Sequence, residues 1–402
     1  MKKITLDQVE EKYQLGPENR FDTKYNMFSR AGWDPELKDR LDDWGFLGEV
    51  KTRPGFTLQD QALRWGARKG TMLARFKSKL GGPAGGGPGG PAIPGPGGAG
   101  PAVASPEAAT MSRVMPMVYT PPEGAKIDTS NPARTTRDIK KVARYFGADM
   151  VGVCKLDRRL LYLDEDIPEE FQWVIVMAFE QDYELIKHYP SYISDAATSK
   201  GYSDMAVTNT YLSAFIQNIG FRAIDSQNDT ALSVPMAIQA GLGDHGRLGF
   251  LITPRFGPRV RLSKIITDLP LVPDSPIDFG VTEFCRVCKK CAQLCPSQSI
   301  PYGDRTREAN NLSNHDGELK WRIDAETCRM YWGQVNKPCT TCMACCPYNK
   351  PDTWPHKATL WFTDHARWAD SFYVKMDELF GYGKPMKASK LERFWEDWQP
   401  DR

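Results

Sequence analysis

CRVCKKCAQLCP, residues 285–296, places Cys285, Cys288, Cys291 and Cys295 in a C-x2-C-x2-C-x3-C-P pattern. In two-cluster iron–sulfur modules, three thiolates at this spacing wrap one corner of a [4Fe–4S] cube, while the fourth, turned away by the proline, ligates a second cube. Zinc sites rarely use this triple spacing with a trailing Pro, so an iron–sulfur reading is preferred to a zinc knot. A second run, CTTCMACCP at 339–347, repeats the C-x2-C-x3-C-P ending through Cys339, Cys342 and Cys346. Its first member is displaced, because Cys328 lies eleven residues before Cys339. Crossed ligation then assigns Cys285, Cys288, Cys291 and Cys346 to one cube, and Cys295, Cys328, Cys339 and Cys342 to the other. Cys345 and Cys154 are left over.

The rest of the composition is that of an ordinary globular protein. The chain has 402 residues, enough for two or three structural units. Its 52 basic and 50 acidic residues leave +2, so no global field argues for nucleic acid. Nine of the ten cysteines fall between Cys285 and Cys346, too clustered to staple the whole chain by disulfides. No apolar run reaches 18 residues, which excludes an evident membrane span. The N-terminus has no apolar signal segment, and this reads either as a cytoplasmic protein or as the mature form of an exported one.

Along the chain, TLDQVEEKY and LQDQALRWGARKGTMLARF read as helices, the second with Leu63, Ala67 and Met72 near helical spacing. Residues 81–106 are a Gly/Pro tract that cannot bury enough surface to offset its ordering entropy, and it reads as an extended connection. An α/β alternation follows. TTRDIKKVARYFG suggests a helix opened by a capping box at Thr135 and Asp138 and stopped by Gly147, with Ile139, Val142, Ala143 and Phe146 on its inner face. MVGVCKL and FQWVIVMAFE read as buried strands, and FRAIDSQ as a further one. Between them SDMAVTNTYLSAFIQNIG reads as a helix stopped by Gly220, with Met205, Leu212, Ile216 and Ile219 inward. A helix-rich passage at 230–245 leads to GRLGFLITPRFGPRVRL, two strand-like pieces about a Pro/Gly turn. No G-x-G-x-x-G opens a βα unit, so no nicotinamide or flavin Rossmann site is supported.

These features together resemble a known family. The displaced cysteine, the CRMYW and CMACCPYNKP phrases, the KGYSDMA helix start and QNDTALSVPMAIQAGLGDHGRLGFLITPRFGPRVRL are similar to respiratory corrinoid-dependent reductive dehalogenases over roughly residues 130–380. The resemblance implies an α/β (α+β) fold with a nitroreductase-like corrinoid-binding core at 129–279 and a bacterial-ferredoxin-like module with two [4Fe–4S] clusters at 280–352. An N-terminal region would occupy 1–128, and a segment at 353–402 would pack on the core. The implied cofactors are a base-off cobalamin-type corrinoid and the two clusters.

The implied reaction replaces C–Cl by C–H in a small organohalide, or eliminates two vicinal halogens, with chlorinated alkanes favoured over alkenes. Tyr202 in KGYSDM would donate the proton, Arg261 in RVRLSK would be its basic partner with Lys264 as a second candidate, and Asn228 in SQNDTA would line the site. A phenol has a reference pKa near 10, so a nearby cation must help it. Gly241, Gly243, His245, Gly246, Arg247 and Gly249 form a Gly-rich stretch where backbone could approach a macrocycle closely. The family binds its corrinoid without a protein His ligand, so His245 reads as a surface or hydrogen-bonding residue. His188, His315, His356 and His365 show no metal-ligand spacing.

The resemblance further implies a periplasmic protein held at the membrane by a small anchor subunit. Its electrons would come from the quinone pool or a redox protein, and nucleic acid would not be a partner. Two rivals stand beside this reading: an epoxyqueuosine-reductase-like corrinoid enzyme acting on tRNA, and an iron–sulfur electron-transfer protein without corrinoid.

Overall fold

The Val/Ile runs build one four-stranded sheet, with helices packed on both of its faces. The computed structural model describes residues 1–16, 20–37, 53–68, 70–71, 124–335, 337–351 and 353–399. Met72 and the Gly/Pro tract at 81–106 lie outside the described residues. The elements used below are, in chain order, α1 (Leu6–Tyr13), α2 (Leu58–Ala67), α3 (Pro132–Tyr145), β1 (Met150–Lys155), β2 (Trp173–Glu180) and α4 (Tyr183–Lys187). Then come α5 (Tyr192–Asn218), β3 (Ala223–Ser226), α6 (Ser233–Gln239), β4 (Asp244–His245), β5 (Leu251–Ile252) and β6 (Val260–Thr267). The cysteine region holds α7 (Val281–Val287), α8 (Lys290–Gln293), α9 (Ala325–Val335) and α10 (Thr341–Ala344), and α11 (Trp354–His365) and α12 (Asp370–Leu379) follow.

The sheet has the order β1-β2-β6-β3, with every neighbouring pair antiparallel. Successive side chains of a strand face opposite ways, and both faces here are covered. Val174, Val176 and Ala178 of β2 pack with Met236, Ala237 and Ile238 of α6 on one side. Ile175, Met177 and Phe179 pack with Ile139 and Ala143 of α3 and with Met205, Leu212 and Ile216 of α5 on the other. Burial on both faces explains why β2 reads as a continuous apolar run rather than an alternating one.

Two helices begin earlier than their sequence signals. Asn131, not Thr135, caps α3: its side chain accepts from the Arg134 backbone N–H, and Pro132 occupies the first turn, where its missing N–H costs nothing. The Thr135 and Thr136 hydroxyls instead donate to the carbonyls of Asn131 and Pro132. Helix α5 starts at Tyr192, capped by Ser191, about one helical stretch ahead of SDMAVT. Its first turns bury Ser194, Asp195, Thr198 and Ser199, so an all-round buried helix of small polar residues carries no apolar stripe to read.

The cysteine region shares a core with the earlier chain. Cys285, Cys291, Cys295, Cys345 and Cys346 belong to one buried cluster with Ile186 of α4, Ile193, Ala196 and Ala197 of α5, and Leu391 and Phe394 near the C-terminus. Arg247, fully buried, fastens this region to the β4–β5 hairpin by donating to the carbonyls of Cys285 (2.9 Å), Pro301 (2.7 Å) and Gly303 (2.9 Å).

Candidate active site

Tyr202 projects from the middle of α5 beside the end of the sheet. Its hydroxyl oxygen accepts a hydrogen bond from Asn228 Nδ2 at 3.2 Å, and the Arg261 guanidinium carbon lies 4.3 Å from the ring centre. Three separate segments therefore meet: Tyr202 from a helix, Asn228 from the loop after β3, and Arg261 from β6, where it pairs in register with Phe179. Gly201 allows the approach, since a Cβ there would sit 2.9 Å from Arg261 Cγ. The Nε of Arg261 is buried with no hydrogen-bond partner among the described residues.

The electrostatics suit a proton donor. Because the Tyr202 oxygen already accepts from Asn228, its own O–H is free to point elsewhere. The Arg261 guanidinium lies over its ring.

Lys264 has a different position from the second cation that the sequence offers. It is fully buried on β6, and its Nζ donates to Gln227 O and Ser233 Oγ, both at 2.8 Å. It thus braces the loop that carries Asn228. Burial pushes its pKa down to about 8, against a smaller opposing pull from Asp229. Folded protein therefore releases this proton before the unfolded chain does, and stability rises with pH between about 8 and the usual lysine range. The denaturation midpoint of the wild type relative to Lys264→Met is expected to increase from pH 7 to pH 10. A difference independent of pH would show that the buried ammonium carries no such cost.

The Gly-rich stretch is occupied by the protein itself. A Cβ at Gly241 would meet Ser275 O at 2.5 Å, at Gly243 Ile252 O at 2.2 Å, at Gly246 Ile252 Cγ1 at 2.8 Å, and at Gly249 Ile323 Cδ1 at 2.2 Å. These glycines let strands and loops press together. His245 is buried rather than on the surface, edge-on to Tyr13 with ring centres 6.4 Å apart. Burial lowers its pKa to about 4, so the ring is neutral at neutral pH. A cavity of about 790 Å³, within the size range of small-molecule sites, runs past Lys200, Ser203 and Val207 of α5 to Arg259, and Tyr202 lies outside its lining.

The cysteines fall into two groups. All ten are free thiols. Cys285, Cys288, Cys291 and Cys346 each lie within electrostatic reach of the other three. Cys328 reaches Cys295 and Cys339, and Cys342 reaches Cys339, Cys345, Cys328 and Cys291, so the two groups adjoin at Cys342. Burial pushes the thiols of Cys285, Cys288, Cys291, Cys328, Cys342 and Cys346 up, Cys288 to about 11 and Cys328 to about 12, so that deprotonating them in place requires a compensating positive charge. Cys345, almost wholly buried, sits beside the first group with Cys288, Cys291 and Cys346 as neighbours, under the backbone of Gly383. Cys154 is remote from both groups, on β1 facing α6.

Gln181, which no sequence signal marked, links the two parts of the site. Its Oε1 accepts from Thr198 of α5 at 2.9 Å, and its Nε2 approaches Met343 Sδ at 3.9 Å, in the helix that carries Cys342.

No protein-family model matches the chain. It is 38% identical to the tetrachloroethene reductive dehalogenase of Sulfurospirillum multivorans over 300 residues, covering 66% of this chain and 60% of that protein. Among solved structures it resembles the catabolic reductive dehalogenase NpRdhA, with TM-score 0.60 and 30% identity, over 64% of this chain and 38% of that one. A reductive dehalogenase structure described as suggesting a mechanism for B12-dependent dehalogenation matches with TM-score 0.60 and 29% identity, over 66% of this chain and 38% of that one. The chain spans about three fifths of the length of the Sulfurospirillum enzyme and less of the solved structures. Across the matched region, in sequence and in its mixed helix-and-sheet fold, this chain is similar to the reductive dehalogenases.

Proposed function

We propose that the chain is the catalytic part of a reductive dehalogenase that replaces C–Cl by C–H in small organohalides. The observation that carries this reading is the convergence of Tyr202, Asn228 and Arg261, a phenol supplied with a hydrogen-bond donor and a cation. The overall change consumes two electrons and one proton and releases chloride.

The donor sets fit the groups that such a reaction needs. The thiols of Cys285, Cys288, Cys291 and Cys346, and those of Cys295, Cys328, Cys339 and Cys342, would each hold a [4Fe–4S] cluster, since eight free thiols, five of them buried and three half-buried, stand at the spacing such clusters use. The buried Arg261 Nε, lacking a hydrogen-bond partner among the described residues, fits a site completed by a bound group next to Tyr202. When bound, a base-off corrinoid supplies a strongly reducing cobalt centre, and the clusters supply its electrons. The chain's own residues handle the proton. Asn228 orients the Tyr202 hydroxyl, Arg261 stabilises the phenolate left behind, and Lys264 holds the Asn228 loop in place. In this reading the stretch from Gly241 to Gly249 acts as scaffold: its hairpin and Arg247 fix the thiol region against the sheet.

The substrate is proposed to be a small organohalide; the preference for chlorinated alkanes over alkenes has no support in the dehalogenase relatives, which are named for chloroethenes, and nucleic acid is not a proposed partner. No helix among the described residues is long and apolar enough to cross a membrane. Attachment is assigned to a small anchor subunit at the periplasmic face, with electrons drawn from the quinone pool or a redox protein. These last assignments rest on family resemblance.

Metal analysis with a chloride assay tests the reading. Purified holoprotein is expected to hold about eight iron atoms and one cobalt and to release chloride from chloroform when reduced. Iron without cobalt would leave a plain electron-transfer protein, and turnover of a tRNA substrate without chloride release would favour the epoxyqueuosine-type chemistry.

A further inference from the structure

Two ammonium groups are buried against the first group of thiols and share one carboxylate. Lys290, on α8 between Cys288 and Cys291, pairs with Asp377 Oδ2 and donates to Tyr382 O at 3.0 Å. Lys350, four residues beyond Cys346, pairs with Asp377 Oδ1 at 2.6 Å, and its Nζ lies 3.9 Å from the Tyr382 ring centre. The side chains of Lys290, Lys350 and Asp377 are 4%, 15% and 6% exposed, so water screens these charges poorly. Each acts on the thiols: Lys290 on Cys288 and Cys345, Lys350 on Cys346, and Asp377 on Cys288. Arg247, beside Cys285, adds a third cation.

We infer that Asp377 and Lys350 set the reduction potential of the cluster held by Cys285, Cys288, Cys291 and Cys346. Reducing a cluster adds one negative charge to it. A fixed cation in a poorly screened site favours that change and raises the potential, while a fixed anion opposes it. Asp377 offsets one of the two lysine charges and holds both against the thiol region. Because Asp377 belongs to α12, the segment after the cysteine runs acts on the first cluster through charge as well as through packing. These are positioning residues: neither touches substrate, and each acts through the cluster's surroundings.

The inference rests on the two-cluster reading above, and a redox titration separates the two. Wild-type holoprotein, Asp377→Asn, Lys350→Met and the double variant are titrated while the electron paramagnetic resonance of reduced iron–sulfur centres is followed. Asp377→Asn is expected to raise one of two potentials, Lys350→Met to lower the same one, and the double variant to return it towards wild type, with the second potential unmoved. Shifts of the two single variants in the same direction, or no shift in either, would overturn the inference, because damage to packing does not reverse when charge is restored. A wild-type protein without any iron–sulfur signal would instead overturn the proposed function.

Discussion

Tyr202→Phe is expected to lower the rate of C–H product formation by about 10²–10⁴-fold, the usual weight of a positioned proton donor, while the cobalt(II) spectrum and the iron content stay as in the wild type. The substitution removes one oxygen and leaves the ring under the Arg261 guanidinium, so the packing of α5 against the sheet is preserved. Only the O–H and the hydrogen bond from Asn228 are lost. Arg261→Ala is expected to slow turnover by a similar mechanism, since without the cation the phenolate becomes a costlier product of proton transfer. Measuring product formation and chloride release together isolates the proton step. Unchanged turnover in Tyr202→Phe would remove Tyr202 from its role and direct attention to another donor.

The second large effect is expected at the double cysteine. Cys346→Ala should lose the cluster shared with Cys285, Cys288 and Cys291, halving the iron from about eight to about four per chain, whereas Cys345→Ala should keep both clusters. Cys346 lies within electrostatic reach of all three other thiols of its group. Cys345 lies beside the same group, wedged under Gly383, where a small apolar residue suffices. Iron and sulfide analysis with visible absorption of the two variants decides. If Cys345→Ala lost the iron and Cys346→Ala kept it, the second run would use an even C-x2-C-x2-C spacing.

The site was readable in the sequence to different depths. Cysteine spacing is a local property that survives without tertiary knowledge, and the structure brings the two cysteine runs side by side, with Cys342 near Cys291 and Cys345 as well as Cys328 and Cys339. Tyr202, Asn228 and Arg261 were found through a resemblance in short phrases; their meeting depends on helix, loop and strand packing that no spacing encodes. The glycines from Gly241 to Gly249 show the same dependence: a missing Cβ signals close approach, and the sequence does not say that Ser275, Ile252 and Ile323 are among the approaching groups. Lys264 was read by its nearness to Arg261 along the chain. Strand alternation puts residues three apart on opposite faces, so it serves the Asn228 loop rather than the phenol.

By itself the sequence determined the thiol pattern, the apolar strands and most helix stops, because each depends on residue identity and short-range spacing. The early starts of α3 and α5, the antiparallel order of the sheet and the meeting of Tyr202 with Arg261 over Gly201 were decided by tertiary structure. So was the pairing of Lys290 and Lys350 with Asp377. These features rest on burial: small polar residues and charges gain their roles from the neighbours that exclude water from them, and those neighbours are distant in the chain.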